Sequence, residues 1–211
     1  MVKLVVNVNI MADAERRSMK NQLKEIAGHK NKQILIVLSP QPFSIPIRIQ
    51  HYDDPVFPFG KQIIDATKDL VCGYIFDFCS YLGWGACGII ALERTLAYAM
   101  NDSFNIIHGS FANPRYLVML DDGVFGADGI TVSRLFIEKL DGELPIEYRV
   151  FAVDLDKPSH MMGIYDEANN VLYCPTRDEE ANSYTVVSDR QMKLYRGEDY
   201  LERLRDYLLR V

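Results

Sequence analysis

Residues 59–113 decide the fold; they read FGKQIIDATKDLVCGYIFDFCSYLGWGACGIIALERTLAYAMNDSFNIIHGSFAN. In 59–70, apolar and charged side chains separate onto two faces at a period near 3.6, which predicts an amphipathic helix. The run 71–76 is short and apolar, which favours a strand buried on both faces as in a parallel sheet, although a helix would also fit it. A second buried strand is predicted at 104–107, ending at His108-Gly109-Ser110. Strands separated by helical sequence are the unit of parallel sheets.

A helical stripe runs from Phe78 to Ala99, and Gly83, Gly85 and Gly88 interrupt it. An interior glycine costs a helix about 1 kcal/mol relative to alanine, so we expect a break near 83–85 or a helix start pressed against another backbone. Residues 83–88 also match the G-x-G-x-x-G fingerprint of dinucleotide-binding loops. That fingerprint needs a strand directly before it and an acidic residue about 20 positions later. The preceding residues look helical and the later position is His108, so close helix packing is the preferred interpretation.

The amino-terminal flank repeats the strand and helix pattern. A strand is predicted at 3–9, a helix at 13–27 with Gly28 as its stop, and a buried strand at 33–38. A short edge strand is predicted at 45–50, weakened by its proline.

The carboxyl third has a different character. A strand at 148–153 is followed by a hairpin over 161–174 with an asparagine-containing turn, a strand at 183–187 and a last helix at 198–209. The predicted fold class is therefore α/β, a mainly parallel sheet or barrel-like core with flanking helices and a more antiparallel carboxyl third.

The composition is typical of a soluble globular protein, with 48% hydrophobic and 25% charged residues. A chain of 211 residues is expected to form one α/β domain over 1–211, in which 145–190 could be a β-rich subregion. A net charge of −6 without a basic cluster argues against a nucleic-acid partner. Neither an apolar run long enough for a membrane span nor a signal-peptide pattern is present in the sequence, so we expect a cytoplasmic protein without a membrane partner.

The 4 cysteines show no C-x-x-C pairing, and three of them lie in the apolar central stretch. We interpret them as small core residues, with a catalytic cysteine as the alternative.

Three segments of the central stretch point to a known family: 63–71 (IIDATKDLV), 85–88 (GACG) and 91–97 (ALERTLA). Looser matches occur at 35–42 (LIVLSPQP) and 126–132 (GADGITV). Together these segments, about half of the chain, resemble the orotidine 5′-monophosphate decarboxylase family of phosphate-binding barrels. The resemblance implies a barrel fold and a small phosphorylated ligand.

The family's charged residues are replaced in this sequence. Its Asp-x-Lys-x-x-Asp motif, at the end of the strand that corresponds to 104–107, is occupied by His108, Ser110 and Asn113. An acidic residue of the family would fall at Ser39 and a further lysine at Ile75. Without the cation that stabilises the carbanion and the carboxylates that orient it, decarboxylation by the family's route is not supported. The resemblance therefore implies a barrel whose chemistry has changed or been lost.

His108-Gly109-Ser110 is the first candidate site, because it ends a predicted strand and pairs an acid/base group with a hydroxyl. A capping or turn histidine is the alternative. Asp77 is a further carboxylate just past a predicted strand. We predict His108, Ser110 and Asp77 as catalytic residues, and Ser39 and Asn113 as substrate-binding residues.

A metal site is a second candidate. His51, Asp53 and Asp54 could share a divalent metal or a proton, although Asp-Pro at 54–55 is also an ordinary turn and the turn is the preferred interpretation. If the strands are parallel, His51, His108 and Asp121 could converge as a two-histidine, one-carboxylate site. The predicted metal ligands are therefore His51, Asp53, Asp54 and Asp121, and any other cofactor is unknown.

A looser group of Asp154, Asp156 and His160 is interpreted as a solvated loop.

Two hypotheses on function remain open from the sequence. The first is an enzyme that acts on a small phosphorylated or anionic metabolite at the carboxyl edge of the sheet, by lyase-like or metal-assisted acid/base chemistry. The second is a non-catalytic protein that binds a ligand or assembles as a homo-oligomer through the glycine-rich helix, with Trp84 at the interface. The missing family charges favour the second, and the polar strand ends favour the first.

Overall fold

The computed structural model describes residues 19–30, 32–43, 45–100, 103–140, 149–156, 162–174, 183–188 and 197–211. Within these ranges, eight strands follow one another around a closed barrel. The strands are β1 (Ile34–Leu38), β2 (Gly73–Asp77), β3 (Phe104–Phe111), β4 (Gly129–Val132), β5 (Val150–Ala152), β6 (Gly163–Asp166), β7 (Val171–Tyr173) and β8 (Ser183–Val187). The helices are α1 (Met19–Lys30), α2 (Ile47–Gln50), α3 (Val56–Thr67), α4 (Phe78–Leu82), α5 (Gly85–Ala99), a 3₁₀ helix (Pro114–Leu120), α6 (Arg134–Glu138) and α7 (Tyr200–Arg210).

The barrel is parallel except around β7. Each neighbouring pair from β1 to β6 is parallel, and β8 closes the barrel by pairing in parallel with β1. β7 runs antiparallel to both β6 and β8, and β6 and β7 form the predicted hairpin. The predicted fold class is thus confirmed, including the antiparallel character of the carboxyl third.

Two apolar clusters stabilise the barrel. Alternate residues of the strands, such as Leu35, Ile75 and Ile106, fill the interior together with Leu23 and Ala27 of α1. The residues between them point outward and pack under the helices, as Ile36 and Phe76 do. This alternation is expected of a small barrel filled by side chains. Because α1 contributes to the interior cluster, it covers one end of the barrel.

The glycine-rich segment breaks the helix as predicted. α4 ends at Leu82, and α5 begins at Gly85, whose φ of 66° lies in the left-handed region that favours glycine. A Cβ on Gly88 would overlap the carbonyl oxygen of Tyr81 in α4. The segment is preceded by a helix rather than a strand, so close packing of α4 against α5 accounts for the glycines.

Three local predictions need correction. Residues 45–50 were predicted as an edge strand, but Pro46 precedes the short helix α2, and the buried Ile49 anchors that helix. Gly28 does not end α1, because the helix continues to Lys30. A Cβ at Gly28 would meet nothing within 4 Å, so the glycine lowers helix stability only through its poor helix propensity. β3 extends four residues beyond the predicted end, to Phe111, because its register to β4 shifts between Ile107 and Phe111 and pairing resumes there.

The predicted strand at 3–9 and residues 13–18 of the first predicted helix lie outside the described residues. None of the helices within the described ranges has the length and apolar character that a membrane crossing requires.

Candidate functional site

The candidate site lies at the carboxyl ends of the parallel strands. Side chains alternate between the inside and the outside of the barrel along each strand. Val37 of β1 points inward, so Ser39, two residues later, also lies on the inner side. By the same spacing, the inward-pointing Ile75 and Ile106 place Asp77 and His108 on the inner side. Asp77 and His108 are directly opposite each other in the β2–β3 register. The structure therefore brings the three predicted residues Ser39, Asp77 and His108 to one mouth of the barrel.

The Asp77 carboxylate is the centre of a hydroxyl cluster. One oxygen accepts hydrogen bonds from the hydroxyls of Ser39, at 2.9 Å, and of Ser80, and these two hydroxyls lie 2.6 Å apart. The other oxygen accepts from the backbone N–H groups of Cys79, at 3.2 Å, and Ser80, at 3.4 Å. Asp77 is thus the N-cap of α4. Its carboxylate is fixed in the mouth by side chains and helix together.

His108 is held at both ring nitrogens. Its Nδ1 lies 2.9 Å from the hydroxyl of Thr131 in β4, and its Nε2 lies 2.8 Å from Oε1 of Glu167 in the turn between β6 and β7. The ring of Tyr165 meets the imidazole edge-on, with centroids 5.1 Å apart. Residues from β3, β4 and the β6–β7 hairpin therefore fix one imidazole in the barrel mouth.

Burial lowers the pKa of His108 below its ordinary value, and the carboxylates of Glu167 and Asp77 partly oppose that effect. The side chain of His108 is 16% exposed, whereas that of Glu167 is 52% exposed. Desolvation disfavours the charged imidazolium more than the two carboxylates favour it. At neutral pH the neutral imidazole faces a largely solvated carboxylate, an arrangement suited to donating or accepting a proton.

The other two predicted residues lie nearby in β3 and after it. Ser110 has a φ of 47° and an exposed side chain, and its backbone N–H donates to the Thr131 hydroxyl at 3.3 Å. Asn113 caps the 3₁₀ helix by accepting from the N–H of Arg115 at 3.0 Å. Both side chains are exposed at the carboxyl edge, where a ligand could reach them.

The residues predicted to bind a metal do not converge. His51, Asp53 and Asp54 lie in the turn before α3, which agrees with the preferred turn interpretation. Asp54 is engaged with Arg94 at 2.8 Å. Among the described residues, no three histidine, cysteine or acidic side chains are grouped as a metal would require.

Asp121 shows why the convergence fails. The carbonyl oxygen of the preceding residue, Leu120, accepts from Arg149, the residue directly before β5. Asp121 therefore lies at the end of the barrel where the parallel strands begin, and the 3₁₀ helix connects the two ends. His108 lies at the opposite end. The predicted grouping of His51, His108 and Asp121 is corrected accordingly.

The looser group of Asp154, Asp156 and His160 lies only partly within the described residues. Asp154 accepts from the N–H of Arg134 at the start of α6, and His160 lies outside the described residues.

Sequence reasoning missed Thr131, Ser80 and Glu167. Thr131 is fully buried in the strand GITV, and its signal was a polar residue at an inward position of an otherwise apolar strand. Ser80 follows Asp77 by three residues, the spacing of an N-cap partner. Glu167 had no signal, because the sequence shows a hairpin turn but not which residue it lies against. The Ser133 hydroxyl, just after β4, is also buried and has no hydrogen-bond partner among the described residues.

Comparison with known proteins supports the family resemblance. No family model matches the chain. The chain is 34% identical over 177 residues to an orotidine 5′-phosphate decarboxylase of Flavobacterium johnsoniae, covering 83% of this chain and 60% of that protein. It is 35% identical over 170 residues to an orotidine 5′-phosphate decarboxylase of Parabacteroides distasonis, covering 81% of this chain and 57% of that protein. The chain spans less than two thirds of the length of both relatives.

Solved structures show the same fold. A protein described as an orotidine-monophosphate decarboxylase from Toxoplasma gondii superposes with a TM-score of 0.53 at 19% identity, over 71% of this chain and 51% of that one. A protein from Streptomyces avermitilis, described as an orotidine 5′-phosphate decarboxylase, gives 0.51 at 15% identity, over 69% and 55%. The resemblance inferred from the sequence is confirmed, and at these structural identities the likeness extends to the fold alone.

Proposed function

From the premise that this chain resembles the orotidine 5′-phosphate decarboxylases, we propose that it binds a small phosphorylated metabolite at the carboxyl mouth of the barrel. His108 donates a proton to the bound molecule in a lyase-like reaction. The observation that supports this most is the partly buried imidazole of His108, fixed by Thr131 and facing Glu167 beside the Asp77 carboxylate. An acid/base group with both nitrogens oriented is the main requirement for such a step.

The roles of the other residues follow from their contacts. Asp77 lies directly opposite His108 in the β2–β3 register, and the hydroxyls of Ser39 and Ser80 that donate to it are placed to contact a ligand oxygen as well. Lys139 donates to the carbonyl oxygen of Ala112 at 3.0 Å, which brings an ammonium group to the rim of the same edge. A cation at this rim favours an anionic ligand.

The reaction differs from the lysine-dependent route that the family resemblance implies. Ser110 stands at the position of the family's lysine and is an exposed residue with a left-handed backbone. A hydroxyl does not supply the positive charge that a developing carbanion needs. The proposal is therefore proton transfer through a histidine, and orotidine 5′-phosphate is a candidate ligand rather than the expected substrate of decarboxylation.

Ligand binding tests the proposal through a matched pair of histidine variants. Uridine 5′-monophosphate and orotidine 5′-phosphate are titrated into the wild type, into His108→Gln and into His51→Gln, which changes an exposed turn residue. A ligand at 100 times its Kd stabilises the folded state by about 2.7 kcal/mol, which is measured as a rise in Tm. We expect that rise for at least one nucleotide in the wild type and in His51→Gln, with affinity about 10-fold weaker in His108→Gln. Equal binding by all three proteins, or binding by none, would contradict the proposal.

Non-catalytic ligand binding is the second candidate function. Glu167 already occupies the Nε2 atom of His108, and the family's charged residues are replaced, which favours a protein that binds without turnover. Deuterium incorporation separates the two: an enzyme of the proposed kind places a deuteron from deuterated solvent on the ligand, and His108→Gln does not. Binding without incorporation would support the second candidate.

A further inference from the structure

We infer that Thr131 is a positioning residue that keeps the proton of neutral His108 on Nε2, so that His108 meets its ligand as a hydrogen-bond donor. Thr131 is fully buried in β4 and faces the barrel mouth from the strand next to β3. No ligand is needed for this arrangement, which belongs to the free protein.

The hydroxyl of Thr131 lies near three nitrogen atoms. The backbone N–H of Gly109 donates to Thr131 Oγ1 at 2.9 Å, and that of Ser110 donates to it at 3.3 Å. The Nδ1 atom of His108 lies 2.9 Å from the same oxygen. The two backbone groups can only donate, whereas the imidazole nitrogen can donate or accept.

The hydrogen-bonding capacity of a hydroxyl selects one tautomer. A threonine hydroxyl has one hydrogen to donate and two lone pairs that accept. Gly109 and Ser110 occupy both lone pairs, so the hydroxyl hydrogen is left to point at Nδ1 of His108. If Nδ1 bore a proton, three donors would compete for two lone pairs and the hydroxyl hydrogen would lose its acceptor. Nδ1 is therefore the acceptor, and the single proton of the neutral ring is on Nε2.

The opposite side of the ring leads independently to the same tautomer. Nε2 lies 2.8 Å from Oε1 of Glu167, and an ionised carboxylate can only accept. A proton on Nε2 satisfies that contact, whereas an unprotonated Nε2 would place a lone pair against the carboxylate. Both partners of the imidazole thus require the same tautomer.

The backbone of Ser110 makes the arrangement possible. Its φ of 47° lies in the left-handed region, at the place where the β3–β4 register shifts. This turn brings the N–H groups of two consecutive residues toward one oxygen, a concave arrangement that extended strand backbone does not form. The residue at the family's lysine position therefore acts here through its backbone N–H.

The tautomer determines which ligand groups His108 can recognise. A protonated Nε2 selects an acceptor, such as the oxygen of a carboxylate, phosphate or carbonyl group, and Glu167 supplies such an oxygen in the free protein. An anionic oxygen of the ligand would replace that of Glu167. This last step alone rests on the proposed function.

The tautomer is measured by nitrogen-15 NMR of the imidazole rings in the free protein at about pH 7.5, where unperturbed histidines are mostly neutral. The chain has 4 histidines, and His108→Gln identifies the resonance of His108. We expect a protonated Nε2 and an unprotonated Nδ1 in the wild type and in Thr131→Ser, which keeps the hydroxyl. Because Glu167 favours the same tautomer, the role of Thr131 is isolated in a Glu167→Ala background. There we expect the proton to stay on Nε2 while Thr131 is present. When Thr131→Val, which has a similar shape without the hydroxyl, is added, we expect a mixture of both tautomers.

A wild-type ring protonated on Nδ1 would overturn the inference, as would identical tautomers in Glu167→Ala with and without Thr131→Val. If Thr131→Val does not fold, the wild-type spectrum still decides which nitrogen is protonated, and Thr131→Ala compared with Thr131→Ser in the Glu167→Ala background tests the role of the hydroxyl. Because no ligand is present, failure of the proposed function would leave this result unchanged. The nucleotide titrations, in turn, do not depend on the tautomer.

Discussion

Among the described residues, longer helices cover one side of the barrel than the other. α3, α5 and α7 pack over the side formed by β8, β1, β2 and β3, which we call the covered side. The described residues over β4 to β7, which we call the bare side, form only the 3₁₀ helix and the five-residue helix α6. On the bare side, an open cleft of about 570 Å³ lies outside β5, β6 and β7, next to Asp154 and Asp166. Apolar residues of both sides belong to one core cluster, and on the bare side the Arg149 side chain also donates hydrogen bonds to the backbone before β4.

The candidate site lies where these two sides meet. Ser39, Asp77 and His108 come from the covered side, whereas Thr131 and Glu167 come from the bare side. The covered side thus supplies His108 and Asp77, and the bare side supplies the two partners that orient the imidazole of His108. Elements with few packing contacts are the ones that open most readily, so the β6–β7 hairpin with Glu167 is the part we expect to move when a ligand binds.

The largest effect is expected from Gly88→Ala on the covered side. The added methyl group would overlap the carbonyl oxygen of Tyr81, so α4 and α5 would have to separate. Overpacking of this kind costs about 3 kcal/mol, measured as the free energy of unfolding in urea. Gly28→Ala is the control, because the methyl group would meet nothing within 4 Å and helix propensity should make it up to about 1 kcal/mol more stable. Equal stabilities for the two variants would show that α4–α5 packing does not limit the covered side.

A smaller loss is expected from Arg149→Met on the bare side. The guanidinium group donates to the carbonyl oxygens of Asp128, at 3.0 Å, of Leu120, at 3.3 Å, and of Ala127. Removing hydrogen bonds from a charged donor costs about 2 kcal/mol, again measured by urea unfolding. Arg134→Met removes an exposed i,i+4 pair with Glu138 and should cost less than about 0.5 kcal/mol. Similar values for both variants would mean that hydrogen bonds do not stabilise the bare side as described.

A third prediction concerns pH, at the junction of the two sides. The pKa of His108 is lowered in the folded protein from an ordinary value of 6.5, so the unfolded chain binds a proton more readily than the folded one. The stability that neutral His108 supplies is complete above that value and is lost as the pH falls through it toward the folded pKa. Between about pH 7.5 and pH 5, the wild type should lose more unfolding free energy than His108→Gln. A parallel decline of both proteins would contradict the burial of the neutral ring.

The smallest effect is expected at Ser110. A left-handed conformation costs a residue with a Cβ about 1 kcal/mol, and glycine avoids that cost but loses more backbone entropy on folding. Ser110→Gly should therefore change the unfolding free energy by less than about 0.5 kcal/mol, whereas Ser110→Val should lose about 1–2 kcal/mol. Thermal unfolding of the two variants is sufficient to measure the difference. A strongly destabilised Ser110→Gly would indicate that the serine side chain has a structural role.

The covered side could be predicted from the sequence and the site only in part. The apolar period of 59–70 and the run 71–76 correspond to α3 and β2, because burial leaves a direct trace in residue pattern. Ser39, Asp77 and His108 could be placed at one edge because parallel strands end together. The partner residues could not be found in this way, since Glu167 reaches His108 across the barrel mouth. Asp121 was placed at the wrong edge because its sequence does not show that the 3₁₀ helix crosses to the other end.

We propose that both sides of the barrel build one ligand site around His108. Backbone amide NMR during titration with uridine 5′-monophosphate tests it most directly, because Gly109 and Ser110 in β3 and Glu167 to Asn170 in the hairpin report separately. We expect both groups of amides to shift together with the same apparent affinity, and we expect His108→Gln to weaken both changes. Shifts confined to one group, or to the amino edge around Asp121, would contradict it.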